Sequence, residues 1–378
     1  MQQVTTRKQL KQFVYLPKYI YADDELWVPP LWLMEKTDHK PGANPVLGRS
    51  EHALFLAYVN GKPRGRIIAY IDPRYNKHFN SQTGMFGSFE AIDNDDIGGL
   101  LFSTAETWLK ERGMSRVLGP INPVAESWGF LLENPGSPVF MSPHNPLYYN
   151  ELIIESGYNK AKDLLVYEAD AAKGYKIPER FTSFCAKILE KRKNLRIRTI
   201  NPKKLHEEAA HIKNILNISV ASNWGFVPVE DDEMNEVVDK LKFILDDKAV
   251  YFVEDMGRPI AVALGFPDIN VLFKKINGRL SPAGIISLLT GRKRIKDYRL
   301  WGLAVLPEYQ GQGLDVLLYV SLAGYLTPLG YRLEANYMLE DNPDILNALK
   351  KMNLTYVKKY RVYEKELTHS LPGVLKKS

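Results

Sequence analysis

Several stretches of this chain repeat at an almost constant distance, and that repetition limits the available folds more than any other feature. "AYVNGKPRGRIIAY" (57–70) and "FVEDMGRPIAVALGF" (252–266) each read as strand, Gly-basic-Pro turn, strand. Gly61-Lys62-Pro63 and Gly257-Arg258-Pro259 lie 196 residues apart. Further on, "NPLYYNELIIESGYNKAKDLLVYE" (145–168) matches "NPDILNALKKMNLTYVKKYRVYE" (342–364). Both run Asn-Pro, Asn, Leu and then a Val-Tyr-Glu strand, at offsets of 197 and 196. "LWVPP" (26–30) and "GFVPV" (225–229) fall in the corresponding early region. Chance supplies one such match; three in order point to duplicated domains.

Alternating apolar residues mark the strands of each half, and a 3.6-residue period marks the helices. The first half predicts an early strand near Lys11–Leu16, helical material over 31–37, a hairpin over 53–72 and a strand at 85–92. A helix at 96–112, a strand at 115–119, a helix near 147–156 and a closing strand at 162–169 follow. The second half predicts a strand at 196–200, helices at 203–220 and 231–246, and a hairpin at 249–266. It continues with a strand at 298–306, a helix at 312–328, a strand at 331–337, a helix at 343–352 and a strand at 356–366. The expected domains are 1–176 and 195–378. Between them, "IPERFTSFCAKILEKRKN" (177–194) sets Phe181, Phe184, Cys185, Ile188 and Leu189 on one stripe, so a packed connecting helix with a basic end is expected.

At 378 residues the chain exceeds one ordinary core, in keeping with two domains. Its 45% hydrophobic and 25% charged residues are those of a globular protein. Cys185 is the single cysteine, which excludes an internal disulfide; on its apolar stripe it reads as a buried thiol. "MQQVTTRKQLKQFVYL" has no apolar core before a cleavage site, and the most apolar helix, around Val316–Leu329, is too short to span a bilayer. A cytoplasmic location is expected. The net charge of +6 favours anionic partners, whether a phosphorylated cofactor, nucleic acid or a lipid headgroup, without choosing among them. The histidines are scattered, and His206 and His211 miss the one-turn helical spacing, so no metal is expected.

The stretch "LAVLPEYQGQGLDVLLYVSLAGYL" (303–326) leaves a strand and enters a helix through Gln310-Gly311-Gln312-Gly313. A turn of small residues feeding a helix presents several free N–H groups together, and the helix dipole adds positive charge there. Such a place suits a phosphate or pyrophosphate. Gly311 and Gly313 permit close backbone approach, and Gln310 and Gln312 offer amides without charge. An ordinary tight strand–helix turn is the plainer reading of the same residues.

The segment "VLPEYQGQGLD" resembles the acyl-CoA pyrophosphate loop of the GNAT superfamily of N-acyltransferases. That pattern is Val-x-Pro followed by Gln/Arg-x-x-Gly-x-Gly/Ala, here Val305, Pro307, Gln310, Gly313 and, departing from it, Asp315. The order of elements in both halves is similar to the GNAT fold as well. The resemblance implies two tandem GNAT-like domains of α/β (α+β) class, each a mixed central sheet flanked by helices. It implies acetyl-CoA or another acyl-CoA as co-substrate, held by Gln310, Gly311, Gln312, Gly313, Leu314 and Asp315. The backbone of Leu303, Ala304 and Val305 would pair with pantetheine, and Asn342 opens the following helix. The implied activity is transfer of the acyl group to an amine, a small molecule or a peptide, in a cleft between the halves. Two departures stand out. The Asp315 carboxylate repels a pyrophosphate, and Leu349 falls where the family commonly carries a tyrosine acid. The first half reads "AIDNDDIGGLL" (91–101) at the equivalent turn, where Asp93, Asp95 and Asp96 suit a helix cap better than a phosphate.

Two other functions fit the same pattern. One is an aminoacyl-tRNA-dependent transferase with an eroded CoA site; the other is a non-catalytic module that keeps the fold for binding. Within "RLEANYMLEDNP" strand alternation places Glu334 and Asn336 on one face and Tyr337 on the other, offering Glu334 as a base or Tyr337 as an acid. A solvated carboxylate and a core aromatic is the alternative for that pair. "GPINPVAESWGFLLENPGSP" (119–138) offers Asn122, Glu126 and Trp128 as a polar and aromatic substrate wall, echoed by Asn223 and Trp224 in "SNWGFVP" (222–228). The insertion 268–296 mixes apolar residues with seven Lys or Arg, as an amphipathic lid over an anionic or lipidic substrate or as a solvated excursion.

Overall fold

A computed structural model describes residues 1–40, 42–123 and 127–367. The chain divides into two compact units, and their limits do not follow the linear halves. The first holds residues 1–163, a short insert at 277–280 and the C-terminal stretch from Lys359; the second holds 164–276 and 281–358.

After a two-residue strand, Gln2–Gln3, the first unit forms a helix where a strand near Lys11–Leu16 was expected. Thr6 Oγ1 accepts a hydrogen bond from the Gln9 N–H and Gln9 Oε1 accepts one from the Thr6 N–H, a capping box that starts α1 (Arg7–Tyr15). Leu10, Phe13 and Val14 then recur at helical spacing, and Phe13 and Val14 are fully buried. The hairpin β1 (Glu51–Val59) and β2 (Lys62–Ile71) turns through Asn60 and Gly61, both at positive φ, as a two-residue hairpin loop requires. Its alternation divides two cores: Leu54, Leu56 and Ile68 join Phe13 and Leu16 on one face. Ala53, Phe55, Ala57, Ile67 and Ala69 face the other way, toward Leu101, Phe102, Ala105 and Leu109. Those four belong to α2 (Asp95–Lys110), capped by Asn94 and placed between β3 (Thr83–Ala91) and β4 (Arg116–Gly119), which pair in parallel.

The closing strand β5 (Asn159–Asp170) runs out of the first unit, and from Leu164 onward it belongs to the second. The second unit continues with α3 (Glu179–Lys191), β6 (Leu195–Thr199), α4 (Leu205–Ser219), α5 (Asp231–Leu241), β7 (Val250–Asp255) and β8 (Arg258–Pro267). Met256 and Gly257 turn this hairpin at positive φ, as Asn60 and Gly61 turn the first. The unit also contains α6 (Asn270–Lys275), α7 (Pro282–Gly291), β9 (Asp297–Val305), α8 (Leu314–Leu326), β10 (Arg332–Leu339), α9 (Pro343–Lys351) and the start of β11 (Thr355–Glu366). β6 to β9 pair antiparallel in order, β9 pairs β10 in parallel, and β10 pairs β5 antiparallel. From Lys359, β11 lies in the first unit against β4, with Tyr363 opposite Gly119. Each closing strand therefore completes the sheet of the other half's unit.

Helices cover both faces of the second sheet. A β-carbon at Gly265 of β8 would sit 2.6 Å from the Ala249 carbonyl oxygen and 2.9 Å from Leu322 of α8, so this glycine admits both the neighbouring backbone and that helix. Its neighbours Leu264 and Phe266 point to the opposite face, beneath Ile212 of α4 and Met234 and Leu241 of α5.

Candidate active site

After Val305, one turn of 3₁₀ helix (Pro307–Tyr309) leads to Gly311 and Gly313, at φ 71° and 78°. Gly313 is the N-cap residue of α8, and no side chain among the described residues caps the helix, so its first N–H groups are left to solvent or a ligand. A β-carbon at Gly311 would meet nothing within 4 Å. One at Gly313 would lie 2.6 Å from the Phe184 ring and 2.9 Å from Ile188, so the connecting helix α3 packs directly on the loop. The glutamine amides serve the turn itself: Gln310 Nε2 donates to Val305 O at 3.0 Å and Gln312 Nε2 to Glu308 O at 3.0 Å. Arg192, at the basic end of α3, donates to Gln312 Oε1 at 2.5 Å and lies 3.8 Å from Asp255. Tyr309 also donates to Asp255, at 3.0 Å.

Asp315 is exposed in the first turn of α8 and caps nothing. Its carboxylate lies near Cys185 on α3; burial first, and then this charge, push the thiol up to about 11. Cys185 is buried, as its stripe implied. The donor set therefore fits an acyl-CoA diphosphate: main-chain amides at an open helix mouth and one guanidinium beside them, with one carboxylate opposing.

The β9–β10 ladder is short. It runs from Asp297 opposite Arg332 to Leu300 opposite Ala335, and no further pairs follow. Gly302 to Val305 keep β8 on one edge and have no β10 partner on the other, and Trp301 sits in a bulge, paired with neither strand. Leu303, Ala304 and Val305 all lie in this freed segment.

At the root of the split is a buried polar cluster. Glu334 is 0% exposed, which excludes a solvated carboxylate. Its Oε1 accepts from Asn336 Nδ2 at 3.2 Å; its Oε2 accepts from Lys358 at 3.3 Å and Arg332 at 3.5 Å. Burial opposes the Arg332 charge, but Glu334 and Asp297 outweigh it and hold that guanidinium above its ordinary value. Arg299, 1% exposed, donates through Nε to Asn336 Oδ1 at 2.6 Å and lies 5.4 Å from the centre of the Tyr337 ring. Strand alternation separates Asn336 from Tyr337, yet both meet Arg299, because the register shifts between Ala335 and Met338. Beside them, the buried Trp301 indole N–H has no hydrogen-bond partner among the described residues.

Asn342 is the N-cap of α9, accepting from the Ile345 N–H at 3.2 Å, and Leu349 is buried on that helix. Asn122 accepts from the Ser88 N–H at 2.6 Å and donates to Ser127 O at 3.1 Å, so its amide ties its own loop. Trp128 is half-buried, and Glu126 lies outside the described residues. Asn223 and Trp224 are half-buried in the turn after α4. Arg299 and Trp301 escaped the sequence reading, and Arg192 entered it only within the basic end of the connecting helix. Arg299 had a signal, as the one charge in the interior of an otherwise apolar strand. Among the described residues no group of three His, Cys, Asp or Glu side chains is arranged to hold a metal, and no helix is long and apolar enough to cross a membrane.

No family model matches the chain. It is 32% identical over 374 residues to Protein YghO of Escherichia coli (strain K12), covering 96% of this chain and 94% of that one. It is also 32% identical over 379 residues to a bacterial ceramide synthase of Caulobacter vibrioides (strain NA1000 / CB15N), covering 96% of each. Among solved structures it is similar to a tandem GNAT protein from the clavulanic acid biosynthesis pathway. That match has a TM-score of 0.59 at 9% identity and covers 98% of each chain. A GCN5-related glucosamine N-acetyltransferase region of a fungal β-N-acetylglucosaminidase matches with TM-score 0.56 at 13% identity, over 96% of this chain and 38% of that one.

Proposed function

Because the chain has the tandem GNAT fold and belongs to the family of YghO and the bacterial ceramide synthase, we propose that it is an acyl-CoA-dependent N-acyltransferase. The observation that carries this reading is the early end of the β9–β10 ladder, with uncapped amides at Gly313 where the freed strand leads. The open edge of Leu303–Val305 pairs with the amide-bearing arm of the thioester, and Gly311–Leu314 with Arg192 hold the diphosphate. The amine nitrogen attacks the thioester carbonyl carbon, a C–N bond forms, the C–S bond breaks, and the proton lost by the amine ends on the departing thiol. Both oxygens of Glu334 already accept hydrogen bonds, so it acts as a positioning residue, orienting Asn336 and through it Arg299. Tyr337 relays that proton, giving its phenolic proton to the departing thiolate and taking the amine's in its place, and the Trp301 N–H is the donor left for the substrate's carbonyl oxygen.

We infer further that the acceptor is a long-chain amine. A narrow apolar cleft of about 60 Å³, lined by Ile212, Met234, Leu241, Leu264, Phe266 and Trp301, lies under α4 and α5, with room for the start of an alkyl chain. Trp301 directly follows the last paired residue of β9, so the pocket begins where the split begins. A ceramide is an amide of a fatty acid and a long-chain amino alcohol, and the name of one relative adds support for that acceptor class.

The test incubates the protein with acyl-CoAs of increasing length and with either sphinganine or short amines, following amide by mass spectrometry and thiol by a chromogenic reagent. One thiol released per amide, with sphinganine preferred, is expected. Turnover with short amines alone overturns the acceptor; no thiol release with any amine overturns the transferase.

A further inference from the structure

Between Asp268 and Asp297 the sequence carries seven Lys or Arg and no acidic residue. Within that span α7 is firmly started: Ser281 Oγ caps it, accepting from the Gly284 N–H at 3.1 Å. The helix has no charged residue, and only Gly284 is buried. Ile285, Ile286 and Leu289 share one face and are 47%, 62% and 69% exposed. A helix packed on a soluble domain turns its large aliphatic residues inward; this one turns them out.

The patch extends past α7. Arg292 donates to Phe243 O at 2.8 Å and also to Leu245 O, tying the end of α7 to the turn after α5. Phe243 is 68% exposed there, with the Lys242 ammonium 5.3 Å from its ring centre. Lys275, Arg294 and Lys296 are exposed on the segments flanking the helix. Of the neighbouring acids, Asp239 pairs with Lys242 at 2.7 Å, Asp246 accepts from Tyr298 and Tyr325, and Asp297 pairs with Arg332, while Asp247 is exposed.

We propose that α7 docks the second unit onto an anionic lipid bilayer. Ile285, Ile286, Leu289 and Phe243 enter the boundary between headgroups and acyl chains, while Lys275, Arg294 and Lys296 meet the lipid phosphates. An aliphatic face with a basic border is the composition of a helix that lies in a membrane interface. The border selects anionic over zwitterionic lipid. RNA would call for exposed aromatic rings to stack on bases, and here the centre of the patch is aliphatic. The proposal goes beyond acyl transfer and holds whatever amine the site accepts.

The full chain is sedimented with vesicles of phosphatidylcholine alone and of phosphatidylcholine with phosphatidylglycerol, at low and high salt. Binding to the anionic vesicles, weakened by salt, is expected. Ile286→Glu with Leu289→Glu lowers the partition coefficient more than tenfold, and Ile286→Ser with Leu289→Ser lowers it in the same direction without adding charge. Lys275→Glu with Arg294→Glu lowers it by roughly fivefold or more per charge. Circular dichroism confirms that each variant is folded. No binding to anionic vesicles, equal binding to neutral ones, or binding untouched by both pairs of substitutions at 286 and 289 overturns the proposal. RNA binding with vesicles ignored overturns it too.

Discussion

Gly311 and Gly313 share a backbone conformation and differ in surroundings, so a pair of alanine substitutions isolates the packing of α3 on the loop. Placing a β-carbon in the left-handed region costs about 1–2 kcal/mol at either site. Gly311→Ala stops there, because its β-carbon would meet nothing within 4 Å. Gly313→Ala must also displace the Phe184 ring from 2.6 Å and Ile188 from 2.9 Å. Overpacking of that kind costs about 1–3 kcal/mol more. The expected totals are about 1–2 kcal/mol for Gly311→Ala and about 2–5 kcal/mol for Gly313→Ala. The loss of unfolded-state freedom offsets each by about 0.4–1 kcal/mol and cancels in the comparison. Urea unfolding with an unchanged slope reads both values. Phe184 is 43% exposed, so Phe184→Ala itself costs little. In the Gly313→Ala background it recovers most of the excess, as a double-mutant cycle shows. Equal costs for the two alanines, or no coupling between Phe184 and position 313, would refute the packing of α3 against the loop.

Three further outcomes follow from the burial of specific groups. Glu334→Gln removes the carboxylate that Lys358 and Arg332 face; since Arg332 keeps Asp297 at 2.6 Å and Glu168 at 3.2 Å, a loss near the low end of the usual range, about 3 kcal/mol, is expected in urea unfolding. A loss below about 1 kcal/mol contradicts the network as described. Cys185, with its thiol pushed up to about 11, reacts with a thiol reagent at mildly alkaline pH far more slowly than it does in urea; equal rates would place it in solvent. His39 is buried, its ring bonded to Glu35 O at 2.8 Å and to Ser88 at 3.1 Å, and burial holds its basicity below the ordinary value. Its folded form therefore refuses a proton that the unfolded chain accepts. That contribution is present above about pH 6.5 and is lost on acidification below it. Wild type should lose more stability than His39→Gln between about pH 7 and about pH 5; parallel losses contradict this.

Much of the fold was legible because its signals are local. The Gly61 and Gly257 turns, the strand alternation around them and the helix after Gly313 each announce themselves within a few residues. The helix α1 was misread because β-branched and aromatic residues near Phe13-Val14-Tyr15 outweighed the Thr6 and Gln9 capping pair ahead of them. The exchange of closing strands was not legible at all. β5 and β11 carry the same Val-Tyr-Glu pattern, so nothing in either strand says which half's sheet it joins. At the split, alternation failed at Asn336 and Tyr337 because a register shift changes which face each residue presents. Glu334 was found, but its burial was not, since Lys358 and Arg299 come to it from strands distant in sequence.

Titration calorimetry of the full chain with acetyl-CoA and with a long-chain acyl-CoA tests the central claim, a diphosphate grip at the mouth of α8. One site per chain is predicted, displaced by free CoA and weakened about tenfold or more by Arg192→Ala. Folded protein that binds neither thioester, or binds both equally well without Arg192, contradicts it.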